Sequence, residues 1–353
     1  MEASSQGRRE GQVVRAPRRS DSRLSEDANR PGVPLSRLGR DGPSLTRVGF
    51  GAWAIGGPWR YGWGRVDDDS SVAAIRHAID SGVNWIDTAP AYGLGHSEEI
   101  VAKAIEPWNP GENVYVFTKC GQRFTEAKGG DVQRDLRPES IRYECEQSLK
   151  RLDVERIDLY QFHWPDNRTG TPVEESWATM ASLADEGKVR WIGVSNLDMD
   201  LLQRCHAVRR VDALQPPLNL LDTEAAQGLI PWCRENEVGV IAYSPMASGL
   251  LTGAYDRCRI EQLPDEDWRR ESEDFQEPKL SRNLELIERL RPIAEAAGMS
   301  LPTLAVNWVL SFPGVTGAIV GARTPDQVDG WLPALSASLS EGRLREINSY
   351  LGT

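Results

Sequence analysis

The chain has 353 residues, of which 40% are hydrophobic and 26% charged, and this composition excludes wholesale disorder. Its net charge of −11 does not suit nucleic acid, because polyanion binding requires a clustered basic face. The five cysteines form no CxxC pair, which argues against a disulfide framework and against a zinc site. We therefore expect a cytoplasmic protein without a metal, and its oligomeric state stays open.

Residues 1–33 are rich in Arg, Ser, Gly and Pro and lack apolar periodicity, so we predict a disordered extension there. An export signal or an organelle-targeting peptide is the functional alternative. The Arg18–Arg19 pair resembles a twin-arginine signal, but no apolar segment follows it. Residues 34–353 are predicted to form one domain. Within it, proline and polar residues interrupt the uncharged stretch 296–322, so we predict a buried helix, a turn and a strand rather than a membrane span.

Short apolar runs alternate with helix-period segments from residue 45 onward. The predicted strands are 46–51, 83–87, 114–119, 158–163, 190–195, 212–215, 238–243 and 317–321. The predicted helices are 69–81, 97–107, 137–152, 173–187, 198–208, 223–236 and 281–311. Eight repeats of strand and helix predict an α/β fold of the (β/α)8 TIM barrel type with long rim loops. A doubly wound open sheet is the alternative, but its glycine-rich turn does not follow the first strand.

Two connections that follow predicted strands are unusually long, 120–136 and 244–280. In a barrel, loops after strands form the active-site face. We expect the second loop to be mobile before a cofactor binds and to close over it afterwards. Residues 244–253 should make the contacts, and the acidic stretch 261–277 should face solvent, because it would repel phosphates.

Polar residues directly follow six of the apolar runs, where barrel enzymes place their chemistry. These residues are Asp87, Lys119, His163, Ser195 with Asn196, Gln215 and Tyr243. Each of them alone could be a helix cap, a turn residue or a packed core residue. A succession of them on one rim favours a chemical role.

The residue types indicate an acid site beside a flat ring. A tyrosine with a pKa near 10 is a poor acid at neutral pH, and a nearby cation lowers that pKa. We expect Lys119 to act in this way on Tyr92, with Asp87 orienting the lysine and His163 donating to the same substrate oxygen. Amide-binding groups and an aromatic ring beside this site suggest a nicotinamide and hydride transfer.

Several longer motifs give the chain a family resemblance. They are WIDTAPAYGLGHSEE (85–99), FTK (117–119), YQFHWPD (160–166), GKVRWIGVSN (187–196), LQPPLNLL (214–221), IAYSPMASGLLTG (241–253) and GAIVGARTPDQVD (317–329). On these motifs the chain resembles the aldo-keto reductases over residues 43–351. The pattern is most similar to the prokaryotic and potassium-channel-β-like branches of that family.

The resemblance implies roles for individual residues. Tyr92 is implied as general acid, Lys119 and Asp87 as its assistants, and His163 as the residue that orients the carbonyl. The implied cofactor-binding residues are Gly51, Ala52, Trp53, Asp87, Ser195, Asn196, Gln215, Tyr243, Ser244, Pro245, Met246, Ser248, Gly249, Leu250, Gly321, Arg323 and Gln327. The expected substrate pocket consists of Trp53, Trp59, Tyr61, Trp63, Tyr92 and Trp164.

The resemblance also implies an NADP-dependent reductase of aldehydes or ketones, including sugar or secondary-metabolite carbonyls. Ala254 stands where relatives often carry a lysine near the cofactor phosphates, and Gly330–Trp331 where many have Glu-Asn. These departures leave NAD possible, whereas Arg323 offers a cation for a 2′-phosphate and favours NADP. The alternatives are a nucleotide-linked keto-sugar reductase and a cofactor-sensing regulatory subunit.

Overall fold

The computed structural model describes residues 33–124, 132–265 and 267–351. Eight parallel strands close into a barrel, in which each strand pairs with the strands before and after it in the chain. The strands are Val48–Gly51, Trp85–Asp87, Tyr115–Cys120, Ile157–Phe162, Val189–Ser195, Ala213–Gln215, Gly239–Ala242 and Val315–Gly321. All eight overlap the predicted strands. The predicted (β/α)8 barrel is confirmed, and the open sheet is excluded.

Helices surround the barrel and alternate with its strands. Their bounds are Asp68–Asp80, His96–Ile105, Pro138–Leu152, Val173–Asp185, Met199–Val208, Glu224–Gln227, Leu229–Glu235, Arg257–Glu261, Lys279–Ala296, Leu301–Val309, Pro325–Trp331 and Glu341–Leu351. Short 3₁₀ helices span Trp53–Ile55, Ala247–Thr252, Trp268–Glu271, Glu273–Phe275 and Leu332–Leu335. In the described ranges, no helix is both long and apolar enough to cross a membrane.

The prediction of one helix over 281–311 is wrong. Gly298 adopts a left-handed φ of 65° just after the first of two helices, a common way for a helix to end. Ser300 then accepts a hydrogen bond from the backbone nitrogen of Thr303 and caps the second helix. The helix predicted at 223–236 is likewise divided at Gly228.

A hairpin of Leu35–Arg37 and Ser44–Thr46 precedes the first barrel strand. Leu38 and Leu45 from this region are buried with Trp85 and other barrel residues in one interior cluster. A side-chain carbon placed on Gly49 would lie 2.2 Å from the Trp85 indole, so only glycine fits there. The barrel interior at its amino-terminal end is therefore filled by these side chains. The predicted disordered extension, apart from Val33, lies outside the described residues.

Candidate active site

The barrel interior changes from apolar to polar along the strands. On four strands the buried interior residue is Trp85, Phe117, Leu159 or Ala213. Side chains two positions apart on a strand share a face. The next interior residues toward the carboxyl ends are Asp87, Lys119, Gln161 and Gln215, all at most 3% exposed. This alternation brings polar groups from distant parts of the sequence into one layer.

Lys119 lies at the centre of the polar layer. Its ammonium donates to Asp87 Oδ1 at 2.5 Å, to the carbonyl of Thr88 at 2.9 Å and to Tyr92 Oη at 3.3 Å. These bonds use all three of its protons. Burial lowers the pKa of Lys119, and the Asp87 carboxylate opposes that effect. The contact expected between Asp87 and Lys119 is therefore present.

Tyr92 presents its hydroxyl to this lysine, and the Lys119 nitrogen lies 5.1 Å from the centre of its ring. Burial, together with the Asp87 charge, raises the pKa of Tyr92 well above 10. The pKa therefore shifts in the direction opposite to the lowering expected from Lys119, with burial as the first cause and the Asp87 charge as the second. The hydroxyl is protonated at neutral pH.

His163 packs against Tyr92, with ring centroids 5.5 Å apart and an interplanar angle of 81°. Burial lowers the pKa of His163 well below 6.5, and the Lys119 charge adds to this effect. The ring is therefore neutral at physiological pH and carries one proton. Its Nδ1 is buried and has no hydrogen-bond partner among the described residues.

The amide side chains beside this cluster are held by internal hydrogen bonds. Gln215 Nε2 donates to Asp87 Oδ2 at 2.8 Å and to Gln161 Oε1 at 3.3 Å. Asn196 Nδ2 donates to the His163 carbonyl at 2.8 Å and to Ser195 Oγ at 3.1 Å. Tyr243 Oη donates to Asn196 Oδ1 at 2.8 Å. Each of these two amide nitrogens already donates two hydrogen bonds. The side-chain oxygens of Gln215 and Asn196 are therefore the atoms that can accept from a hydrogen-bond donor of a ligand.

A cavity of about 800 Å³ opens above these groups. It is lined by 22 of the residues expected at the site: Gly51, Ala52, Trp53, Trp59, Tyr61, Trp63, Asp87, Tyr92, His163, Trp164, Ser195, Asn196, Gln215, Tyr243, Ser244, Pro245, Met246, Ser248, Gly249, Gly321, Arg323 and Gln327. Two expected residues do not line it. Lys119 is buried beneath Tyr92 and Asp87, and Leu250 is fully buried in the core. Leu250 is therefore not placed to contact a ligand in this cavity.

One side of the cavity is an aromatic wall, defined here as Trp53, Trp59, Tyr61, Trp63 and Trp268. Trp53 packs edge-on against Trp63 at 5.5 Å and lies 5.2 Å from Trp268 at a tilt of 34°. Trp59 packs edge-on against Tyr61 at 5.5 Å. The wall joins the loop after the first strand to the loop after the seventh.

The expectation that the whole acidic stretch 261–277 faces solvent is wrong. Asp267 and Arg269 are each 3% exposed and form a two-point ion pair, with Arg269 Nε 2.9 Å from Asp267 Oδ1 and Arg269 Nη2 2.5 Å from Oδ2. The Arg269 guanidinium also lies 4.3 Å from the centre of the Trp63 ring. Because the pair neutralises its own charge, this turn can pack inward against the aromatic wall.

Several residues on or behind the cavity wall were not expected from the sequence. They are Gln122, Arg134, Tyr255, Arg259, Gln161, Trp268 and Arg269. Gln161 could have been found, because it lies two positions before His163 on the same strand face. Nothing in the sequence predicted that Trp268 and Arg269 would line the cavity, because the stretch around them is acidic and is therefore expected to be exposed.

Another part of the cavity lining suits a dinucleotide. Arg323 lies there with Gln327, whose Oε1 accepts from the Arg323 backbone nitrogen at 2.8 Å. Ser244, Ala247 and Ser248 adopt left-handed φ values of 54°, 46° and 55°, a strained backbone that often marks a ligand-binding segment. The Gln215 side-chain oxygen, and the Asn196 oxygen beside its bond from Tyr243, can accept from the donor group of a nicotinamide carboxamide. The residues present therefore fit the cofactor that the sequence implied.

The family model for the aldo/keto reductase family matches residues 47–351. Aldo-keto reductase YhdN of Bacillus subtilis is 37% identical over 311 residues, which cover 88% of this chain and 91% of that protein. The NADH-specific methylglyoxal reductase of Escherichia coli is 36% identical over 317 residues, which cover 86% of this chain and 94% of that protein.

Solved structures agree with these relatives. The structure of the glycerol dehydrogenase from Gluconobacter oxydans matches with a TM-score of 0.81 and 38% identity, over 90% of this chain and 95% of that one. Aldo-keto reductases are oxidoreductases that use nicotinamide cofactors. The barrel, the family match and the extent of both likenesses lead to one conclusion: this chain belongs to the aldo/keto reductase family.

Proposed function

We propose that this protein reduces an aldehyde or ketone to an alcohol with NAD(P)H, with Tyr92 as the proton donor. The observation that carries the proposal is the Lys119 ammonium, which is fully buried and donates to Asp87, Thr88 and Tyr92 at once. A buried cation is costly, and a structural role alone does not require it to touch a tyrosine hydroxyl that faces a cavity.

A reduced nicotinamide bound here would supply the hydride to the carbonyl carbon. Tyr92 holds the proton for the carbonyl oxygen, because its raised pKa keeps it protonated before the reaction. As Tyr92 gives up the proton, Lys119 stabilises the phenolate from 3.3 Å. His163 is neutral and its ring packs against Tyr92, so we propose that it orients the same oxygen without competing as an acid.

We propose that the cofactor lies along the cavity from Tyr243 to Arg323. Asn196 and Gln215 would accept from the carboxamide, Tyr243 would stack on the nicotinamide, and the segment from Ser244 to Gly249 would follow the pyrophosphate. Arg323 supports a preference for NADP, because a guanidinium pairs well with a 2′-phosphate. The NADH specificity of the Escherichia coli relative makes the direct comparison of both cofactors necessary.

The alternatives require features that the cavity supports less well. A nucleotide-linked keto-sugar would need a basic pocket for a second diphosphate. Among the described residues, the guanidiniums that line the cavity around Tyr92 and the aromatic wall are those of Arg134 and Arg269, and Asp267 already neutralises Arg269. A purely cofactor-sensing subunit would not need a proton donor above the nicotinamide position.

A panel of aldehydes and ketones, assayed by the loss of NADPH or NADH absorbance, tests the proposal. We expect turnover of at least one carbonyl class by the full chain, with NADPH preferred. If cofactor binds but no carbonyl in a broad panel is reduced, the sensing role replaces the reductase.

A further inference from the structure

The cations on the cavity wall lie in different surroundings. Four arginines line the cavity: Arg134, Arg259, Arg269 and Arg323. Arg269 is neutralised by Asp267. Arg259 and Arg323 lie beside the segments proposed to hold the dinucleotide. Arg134 remains, and it lies over Trp164 on the lining that it shares with Tyr92 and His163.

Arg134 is positioned by a small ribbon after the third strand. Arg134 pairs with Gln122 across this ribbon, and its guanidinium lies 5.1 Å from the centre of the Trp164 ring. Trp164 directly follows His163 in the sequence, and both residues line the same cavity as Arg134. The buried carboxylate of Glu144 accepts from the Gln122 backbone nitrogen at 3.3 Å and fixes the start of the ribbon.

The guanidinium of Arg134 forms no ion pair with a carboxylate in ranges 33–124, 132–265 and 267–351. Within the same ranges, Asp87 is the one acidic residue on the cavity lining, and Lys119 already pairs with it. A cation stacked on an aromatic ring in a partly enclosed cavity attracts anions more strongly than a solvated one. The planar guanidinium of Arg134 can donate two parallel hydrogen bonds to one carboxylate.

We propose that the enzyme acts on oxo acids, carbonyl compounds that carry a carboxylate, and that Arg134 binds this carboxylate. The inference rests on the proposed reductase function and adds the substrate class. The aromatic wall would then pack against the carbon chain between the two functional groups.

The test compares succinic semialdehyde with its uncharged methyl ester, in the full chain and with saturating cofactor. We expect kcat/KM to be at least about 10-fold higher for the acid, as for a charge-assisted hydrogen bond. Arg134→Gln should remove this preference, mainly through KM, because the carboxylate is bound equally before and during reaction. The kcat/KM of this variant for the methyl ester should change by less than about 3-fold. Retained turnover of the ester also shows that the variant is folded.

Arg123→Gln is the matched control. Arg123 belongs to the same ribbon, but its guanidinium lies over Tyr143, 4.1 Å from the ring centre, and it does not line the cavity. This variant should keep the wild-type preference for the acid. An equal loss of acid turnover in both variants would show a role of the ribbon as a whole and overturn the proposal.

Two further outcomes separate this inference from the proposed function. If the wild type reduces acid and ester equally well, the reductase stands and the substrate class is wrong. If it reduces no carbonyl compound, the proposed function itself fails. Glu126 and Asp131 lie in the sequence just before Arg134, outside the described residues. If an acid preference arises only in a Glu126→Gln/Asp131→Asn variant, one of them neutralises Arg134 and the proposal for the native enzyme is overturned.

Discussion

The two ends of the cavity are built in different ways. At the proton-donor end, Asp87, Lys119, Gln161 and Gln215 come from four strands and are bonded to one another in the barrel interior. At the proposed dinucleotide end, Arg323 is half-buried in the connection after the eighth strand, and Gln327 is exposed on the helix Pro325–Trp331 that follows. The donor end is therefore preorganised by the fold, whereas the proposed dinucleotide end presents side chains that are accessible to solvent.

The physical reason is the cost of burying charge. A buried ammonium without partners would be strongly destabilising, so the barrel must hold Lys119 and Asp87 together before any ligand arrives. Phosphate-binding groups remain accessible to water and need no partner in the free protein. Variants at the donor end should therefore affect chemistry and stability, and variants at the other end should affect binding alone.

The largest effect is expected for Tyr92→Phe. Removing the proposed acid should lower kcat by about 10²- to 10⁴-fold, the range for general acid catalysis. Cofactor affinity, measured by quenching of tryptophan fluorescence, should stay within about 2-fold, because the hydroxyl contacts Lys119 rather than the dinucleotide end. Tyr143→Phe, on an outer helix, is the control. Near-normal turnover of Tyr92→Phe would remove Tyr92 from the mechanism.

Lys119→Met should show that the donor end also stabilises the fold. Leaving Asp87 buried without its cation should lower the free energy of unfolding by about 3–5 kcal/mol. Asp87→Asn/Lys119→Met should be less destabilised than the single variant, since no charge remains unpaired. Urea denaturation measures both, with the exposed Lys103→Met as control. If Lys119→Met lowers the free energy of unfolding by less than about 1 kcal/mol, the Asp87 carboxylate is reached by water and does not depend on Lys119.

Arg323→Ala tests the dinucleotide end. If Arg323 pairs with the 2′-phosphate, NADPH affinity should fall by about 10- to 100-fold, corresponding to about 1.5–3 kcal/mol. NADH affinity and the free energy of unfolding should barely change. Arg282→Ala, on an outer helix, serves as control. An equal loss of affinity for NADPH and NADH would show that Arg323 does not bind the 2′-phosphate.

Hydrogen exchange compares the two ends directly and should give the smallest effect. Amides of residues 244–253 should gain protection when NADPH is added, because this segment is proposed to follow the pyrophosphate. Amides of 117–120 should be protected with or without cofactor, since they lie in a buried barrel strand. Identical exchange of 244–253 in both states would show that this segment is already ordered or does not contact the cofactor.

The alternation of apolar runs and helical segments predicted the barrel, because parallel strands that are buried on both faces leave a clear apolar signal. The same pattern predicted that Asp87, Lys119 and His163 meet on one rim. Chain order and the geometry of a closed barrel are sufficient for this inference. The roles and cofactor contacts of the individual residues remain proposals.

Other features depended on the three-dimensional environment. The direction of the Tyr92 pKa is set by burial and by the distance to Asp87, neither of which is written in the local sequence. Trp268 and Arg269 turn inward because Asp267 neutralises the arginine within the turn. The overall acidic composition of residues 261–277 does not reveal this local ion pair.

The sequence by itself thus determined the barrel and the set of polar residues at its rim, because periodicity and strand order are local properties of the chain. Tertiary structure decided which groups share protons and charge, since hydrogen bonds such as that between Gln215 and Asp87 join residues far apart in the chain. It also decided that Arg134 lies on Trp164 at the substrate end of the cavity, the contact on which the proposed substrate class depends.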